Sequence, residues 1–394
     1  MGEVFTYIDS EKSAKLKVIG VGGAGGNAIN NMIAAKLQGV KFIAANTDAQ
    51  ALDISNAPIK IQMGEQLTQG LGAGANPQVG REAALESEEA LRSALEDSHM
   101  VFITAGFGGG TGTGATPIIA EICKDFGALT VAVVTKPFSF EGRRRARQAK
   151  EGIEALKEVA DTTITIPNDR LRGVAPKNAK MLEMFRKADE VLLHSVRGIT
   201  DLIMMPGLVN LDFADVKTTM SKAGMAIMGI GIASGENRAT LAAERAISHP
   251  LLEDISISGA SGVLMNITSS SDLTMEEMTE ASDRIYNEVG EDADIIWGTV
   301  VDDSLGEELR VTVIATGIGS GPESAMADKR GDLSTRGKVR DITPADLKNA
   351  EDYDVPTFIR QKRAVGESTG NRYKGMVMDN NDLDIPTFLR RKAD

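Results

Sequence analysis

Residues 105–116 read AGFGGGTGTGAT, six glycines and three threonines in twelve positions, after the apolar run 100–104 and before the amphipathic pattern of Ile118, Ile119, Ile122 and Phe126. A flexible linker does not sit between a β-branched run and a helical pattern. Gly108, Gly109, Gly110, Gly112 and Gly114 carry no Cβ, so successive backbone N–H groups can turn toward one anion. Thr111 and Thr113 add hydroxyl donors. Thr116 followed by Pro117 reads as the N-cap and first residue of the next helix, which would aim its positive end at the same point. The expectation is a backbone cradle for a phosphate chain.

The formal net charge of −13 argues against non-specific nucleic-acid or membrane-surface binding by the globular part, so a phosphate ligand must be held by local geometry. No nucleic-acid partner and no direct membrane insertion are expected. With 394 residues, 42% of them hydrophobic, two domains are the expectation. Cys123, the single cysteine, excludes an intrachain disulfide and suggests a reducing compartment. The first residues, MGEVFTYIDSEKSAKLK, lack a basic segment followed by an apolar one, and no run reaches membrane-span length; a cytoplasmic protein is expected. His99, His194 and His249 are too far apart in sequence for ligand spacing, so no direct metal ligand is expected.

After a flexible N-terminus at 1–14, residues 15–178 alternate β-branched runs (16–20, 42–45, 101–104, 129–135, 162–167) with helical patterns, the signature of an α/β fold with a doubly wound parallel sheet. Residues 179–204 repeat apolar positions at helical spacing and predict one long helix. A second, smaller α/β domain is expected over 205–317, with strands at 226–233, 262–268, 295–301 and 309–315 and helices at 238–248 and 275–289. Beyond it the pattern collapses into charges, Ser, Gly and Asn, which predicts disorder. The tail divides into a linker (318–351), a peptide at 352–363, a spacer (364–381) and a near-copy of that peptide at 382–394.

Two further glycine loops occur, GVGGAGGN at 20–27 and GLGAGANP at 70–77. Gly20, Gly22 and Gly25 fit G-x-G-x-x-G, and Asp48 lies near where a ribose-binding acid belongs, so an NAD-dependent oxidoreductase is one reading. It gives the second and third loops no work, whereas three loops suit a nucleoside triphosphate. No glycine loop ends in the Gly-Lys-Ser/Thr of a Walker site.

GGGTGTG at 108–114, together with GVGGAGGN, NTDAQAL, GLGAGANP, VTKPFSFEG, IPNDRL and NLDFADV in this order, resembles the FtsZ family, the tubulin-like GTPases of bacterial cell division. The resemblance covers nearly the whole chain. It implies a tubulin-like fold with a Rossmann-like GTP-binding domain, a long central helix and a second domain. It implies GTP or GDP held by Gly23, Ala24, Gly25, Gly26 and Asn27 and by Gly110, Thr111 and Gly112, with Ala73 and Gly74 near the γ-phosphate. Glu141 and Arg145 would contact ribose and phosphate, and Asn168, Phe185 and Asp189 would surround guanine. The residues agree in part: Phe185 and Asp189 are four apart on one helix face, so a ring and a carboxylate can address one ligand, although core packing would equally explain Phe185.

Asp212 and Asp215, three apart at a turn or helix start, are carboxylates able to orient water, or else ordinary first-turn acids. In the family the matching loop enters the next subunit's site, which would make Asn210, Asp212 and Asp215 catalytic in trans and the active site a polymer interface. Such a head-to-tail contact does not close and generates filaments. Mg²⁺ is expected on the nucleotide phosphates. The second tail peptide resembles the segment through which the family recruits membrane-tethering and regulatory partners such as FtsA-like adaptors at the midcell division site. Ile385, Pro386, Phe388, Leu389 and Arg390 form a short apolar stripe with a basic end that could fold into a partner's groove. Val355, Pro356, Phe358 and Ile359 repeat it thirty residues upstream, and the duplication predicts bivalent binding.

Overall fold

The computed structural model describes residues 14–173, 179–205, 211–222, 225–252, 257–290 and 293–318. Asn210 and the tail positions Val355, Pro356, Phe358, Ile359, Ile385, Pro386, Phe388, Leu389 and Arg390 lie outside these residues. Strand β1 (Leu16–Val21) runs into helix α1 (Gly22–Ala34), and β2 (Val40–Asn46) into α2 (Ala49–Asp53). After β3 (Ile59–Gln62) come α3 (Glu65–Thr68), α4 (Pro77–Glu86) and α5 (Glu88–Leu95). Then β4 (Met100–Gly106) leads into α6 (Thr111–Asp125), β5 (Leu129–Lys136) into α7 (Arg143–Val159), and β6 (Thr162–Pro167) toward the long α8 (Met181–Met204). The remainder is α9 (Phe213–Met220), β7 (Met225–Ser234), α10 (Arg238–Ile247), β8 (Gly262–Ser269), α11 (Met275–Val289), β9 (Asp294–Val301) and β10 (Glu308–Ile318).

Among the described residues, the ten strands join one sheet in the order β3-β2-β1-β4-β5-β6-β7-β10-β8-β9. The first six are parallel, and β6 meets β7 through two residue pairs, Thr163 with Met225 and Ile164 with Ala226. Strand β10 runs antiparallel between β7 and β8. In β1, Leu16 and Val18 face a core shared with α1 and α8, while Ile19 and Val21 face one shared with α4, α6 and α7. Burial on both faces is what turns the alternation expected of a half-exposed strand into a continuous apolar run. A third cluster joins α10 and α11 to the second half of the sheet. Among the described residues no helix is long and apolar enough to cross a membrane.

Two local expectations are corrected. The helix after the glycine run starts at Thr111, not at Pro117, and Pro117 lies inside it. Thr116 is no N-cap: its hydroxyl donates to the Gly112 carbonyl 2.6 Å away. The early start comes from tertiary packing. A Cβ on Gly114 would lie 1.9 Å from the Pro77 carbonyl oxygen, and one on Gly80 2.4 Å from that of Gly110, so these glycines let α4 and α6 touch backbone to backbone. Strand β3, only four residues long and absent from the predicted set, pairs with β2 at the sheet edge.

Candidate functional site

Chain order reverses between β1 and β4, which are neighbours while β2 and β5 extend in opposite directions. In open parallel sheets the crevice beyond the carboxyl ends at such a point is where ligands bind. A cavity of about 400 Å³ lies there, lined by Val21, which ends β1, with Gly22, Gly23, Ala24 and Asn27 after it, and by Gly106, which ends β4, with Phe107 and Gly109–Gly112 after it. The first-turn amides of α6 have no acceptor within the helix. Cradle and helix terminus therefore coincide, as an anion site requires.

The glycines of the run divide by task. Gly109 would meet nothing within 4 Å with a Cβ added, so its backbone is open to a ligand. The Gly108 amide is already committed to Thr113 Oγ1 at 2.9 Å, and Gly114 packs against α4; neither lines the cavity. In the first loop Gly23, Ala24 and Asn27 are on the wall and Gly25 and Gly26 are not. Gly25 is a packing residue: a Cβ there would lie 2.5 Å from the Thr104 carbonyl oxygen, where α1 crosses β4. Ala73 and Gly74 are also off the wall; a Cβ on Gly110 would come within 2.8 Å of the buried Ala73 methyl.

The other end of the cavity is built by the Thr135–Arg145 segment, the end of β6 and the start of α8, which supply Thr135, Pro137, Glu141, Arg145, Asn168, Phe185, Ala188, Asp189 and Leu192. Glu141 accepts from the Phe138 amide at 3.0 Å and from Arg145 Nη1 at 2.5 Å, which fixes the guanidinium at the rim. Phe185 is 36% exposed, so it is not a core residue. Its ring meets Phe138 edge-on with centroids 5.4 Å apart, and Phe138 stacks on Phe140.

Two polar groups here lack partners. Asn168 is buried, yet its Oδ1 has no hydrogen-bond partner. The Asp189 carboxyl faces the cavity without a hydrogen bond or ion pair among the described residues, and burial, with Glu190 beside it, pushes it up to about 7. An orphaned carbonyl and an unpaired carboxyl beside an aromatic ring are what a planar base with several N–H donors would satisfy. The residues fit a purine nucleotide, phosphates toward the glycines.

Thr135, Pro137, Ala188 and Leu192 are wall residues that the sequence reading missed. Ala188 and Leu192 lie three and seven positions after Phe185, on the same helical face, so the spacing carried a usable signal. Thr135 and Pro137 are recognisable only once β5 is known to end at the cavity.

Asp212 and Asp215 are elsewhere. Both are exposed, at the start of α9, and the Asp212 side chain does not cap the helix despite its N-cap position. Phe213 packs near His99, with ring centroids 6.1 Å apart, and His99 immediately precedes β4. The two carboxylates thus sit at the amino-terminal edge of the parallel strands, opposite the cavity.

The NAD reading fails on Asp48, whose carboxylate accepts from the Gln50 and Ala51 amides as the cap of α2 and does not line the cavity. The six-strand order alone is shared with dinucleotide-binding folds and does not discriminate.

Comparison with known proteins separates the two. Residues 15–176 match the model of the tubulin/FtsZ family GTPase domain, and residues 224–319 that of the FtsZ family C-terminal domain. Cell division protein FtsZ of Azotobacter vinelandii is 49% identical over 368 residues, covering 92% of this chain and 93% of that one. FtsZ of Coxiella burnetii is 54% identical over 311 residues, 79% and 81% of the two chains. The FtsZ dimer of M. jannaschii superposes with a TM-score of 0.76 at 47% identity, over 79% of this chain and 90% of that one. The chain belongs to the FtsZ branch of the tubulin/FtsZ family of GTPases.

Proposed function

We propose that this chain is a self-assembling GTPase of cell division, whose copies stack head to tail into filaments at the division site and whose hydrolytic site is completed by the next copy. One observation carries this reading: the cavity and the candidate carboxylates lie at opposite ends of α8. Its 24 residues, at about 1.5 Å each, span roughly 36 Å, so Asp212 and Asp215 of one copy do not reach that copy's own nucleotide. A neighbour stacked on the cavity supplies them.

Within the cavity, the Gly109–Gly112 backbone and the first turn of α6 hold the phosphates. Asn168 and Asp189 receive the guanine donors against the Phe185 ring, and Glu141 with Arg145 closes the ribose side. Mg²⁺, bound through the phosphates, would neutralise their charge and polarise the terminal group. Asp212, Asp215 and Asn210 of the adjoining copy orient a water whose oxygen bonds to the γ-phosphorus as the bond to the β–γ bridging oxygen breaks, a carboxylate accepting the water's proton. The tail peptides recruit FtsA-like membrane-tethering adaptors through their apolar stripes.

Phosphate release per protein, measured against protein concentration with assembly followed by light scattering, tests the reading. Specific activity should rise above a threshold at which scattering begins. Turnover per copy that is independent of concentration would refute completion in trans.

A further inference from the structure

Thr47 follows β2, is fully buried and is absent from the cavity wall, yet it touches the phosphate end of the site. Its Oγ1 lies 2.6 Å from Oγ1 of Thr111, the first residue of α6 and a wall residue. Its carbonyl accepts from the Thr68 hydroxyl and from the Gly72 amide, each at 3.2 Å. On either side, the Met63 amide donates to the Asn46 carbonyl and the Ala49 amide to that of Gly70. The side chain of Thr47 is thereby fastened to α6, and its backbone to the segment that carries the second glycine loop.

That segment is unusual. Gln69, Gly70, Gly72, Gly74 and Ala75 all have left-handed backbones, two of them without the excuse of being glycine. Such a conformation persists because its surroundings hold it, and successive turned amides make an anion-seeking concavity. A Cβ on Gly74 would meet nothing within 4 Å, so its backbone is bare.

The hydroxyl pair has a direction. Each hydroxyl has one proton, so one donates to the other. When Thr111 spends its proton on a phosphate oxygen, Thr47 must be the donor within the pair; without that oxygen, Thr111 can donate back. We propose that Thr47 is a positioning residue for the phosphate end of the site, aiming the Thr111 hydroxyl at the terminal phosphate and linking its state to the 69–75 loop. The proposal rests on the nucleotide reading of the cavity.

The test uses the full chain below its assembly threshold, with GDP and a non-hydrolysable GTP analogue as ligands. Affinities are measured by calorimetry, and amide hydrogen exchange is followed over residues 69–75. In the wild type the two loaded forms should differ in exchange over this loop. Thr47→Val, of the same shape but without a proton to donate, should bind GDP within about twofold of wild type and the analogue about fivefold more weakly, the net worth of one hydrogen bond. It should also lose the exchange difference. Thr47→Ser should restore both, and Thr111→Val should reproduce the lost difference.

Thr47→Val that matches the wild type in both readouts overturns the proposal, as does Thr47→Ser failing like Thr47→Val, which would assign the role to the methyl group. Should Thr47→Val not melt cooperatively, Thr111→Val that retains the exchange difference overturns it. Wild type that binds neither nucleotide overturns the reading of the cavity and this proposal with it, whereas wild type that binds both with Thr47→Val unchanged overturns this proposal alone.

Discussion

Two variants that are each inactive should restore hydrolysis when mixed. Gly23 lines the cavity, a Cβ there meets no atom within 4 Å, and its φ is not left-handed, so Gly23→Glu should fold normally. It places a carboxylate among the phosphates. At about 4 Å and an effective dielectric of 20, two like charges repel by about 4 kcal/mol, a weakening of nucleotide binding of about a thousandfold. Asp212→Ala leaves the cavity intact some 36 Å away, by the roughly 1.5 Å rise per residue of α8, and should cost about a hundredfold or more in turnover, the worth of a positioned proton acceptor. In an equimolar mixture, a quarter of random head-to-tail pairs place the carboxylates of Gly23→Glu over the cavity of Asp212→Ala. Phosphate release should therefore recover to at most about one quarter of the wild-type rate, the ceiling set by random pairing. Varying the ratio at fixed total protein locates the maximum between the two pure samples. A mixture that never exceeds the sum of its components refutes the reasoning, as does wild-type turnover by Asp212→Ala alone.

Asp189 predicts a pH dependence. Its carboxyl, raised to about 7 by burial, must be ionised to accept guanine N–H donors, so GDP affinity should fall by up to tenfold per unit below about pH 7 and level off above it. The same shift makes the nucleotide-free protein lose stability as pH rises from about 4, the ordinary carboxyl range, through about 7. Calorimetry that finds a flat affinity profile from pH 5 to 8 would remove Asp189 from base recognition. Gly114→Ala should cost about 3 kcal/mol or more, because its Cβ would collide with the α4 backbone, whereas Gly109→Ala should stay within about 0.5 kcal/mol yet weaken nucleotide binding; equal melting temperatures for the two would refute the division of tasks. For the tail, Phe358→Ala and Phe388→Ala should each reduce binding to a clustered adaptor, since two copies of one motif thirty residues apart in sequence can act together. Isotherms sensitive to Phe388 alone would rule out bivalency.

The fold was readable where burial dictates composition. Strands sealed on both faces, such as Met100–Gly106 and Leu129–Lys136, announce themselves as apolar runs, and α8 as a long helical periodicity. Strand β3 escaped because four residues at an edge carry too little pattern. The Thr116-Pro117 pair misled because a cap and a mid-helix threonine bonding back to Gly112 look alike in sequence. What separates them is the approach of α4, a tertiary contact. The same limit applied to the site. Glycine letters do not reveal whether the missing side chain makes room for a ligand, as at Gly23 and Gly109, or for another backbone, as at Gly25 and Gly114. Nor could local sequence show that Asp212 leaves its capping role unfilled.

The separation of cavity and carboxylates by the length of α8 also makes the two ends of any head-to-tail filament chemically different. On the proposed function each junction would complete one site, and a filament would always have one more cavity than it has junctions. The surplus cavity would be at the end where no neighbour has yet arrived, and nucleotide held there would wait unhydrolysed until the next copy docks. The opposite end would expose carboxylates with nothing to act on. Growth would then renew a protected terminal nucleotide at one pole only, giving the filament an arrow of time as well as an arrow of direction.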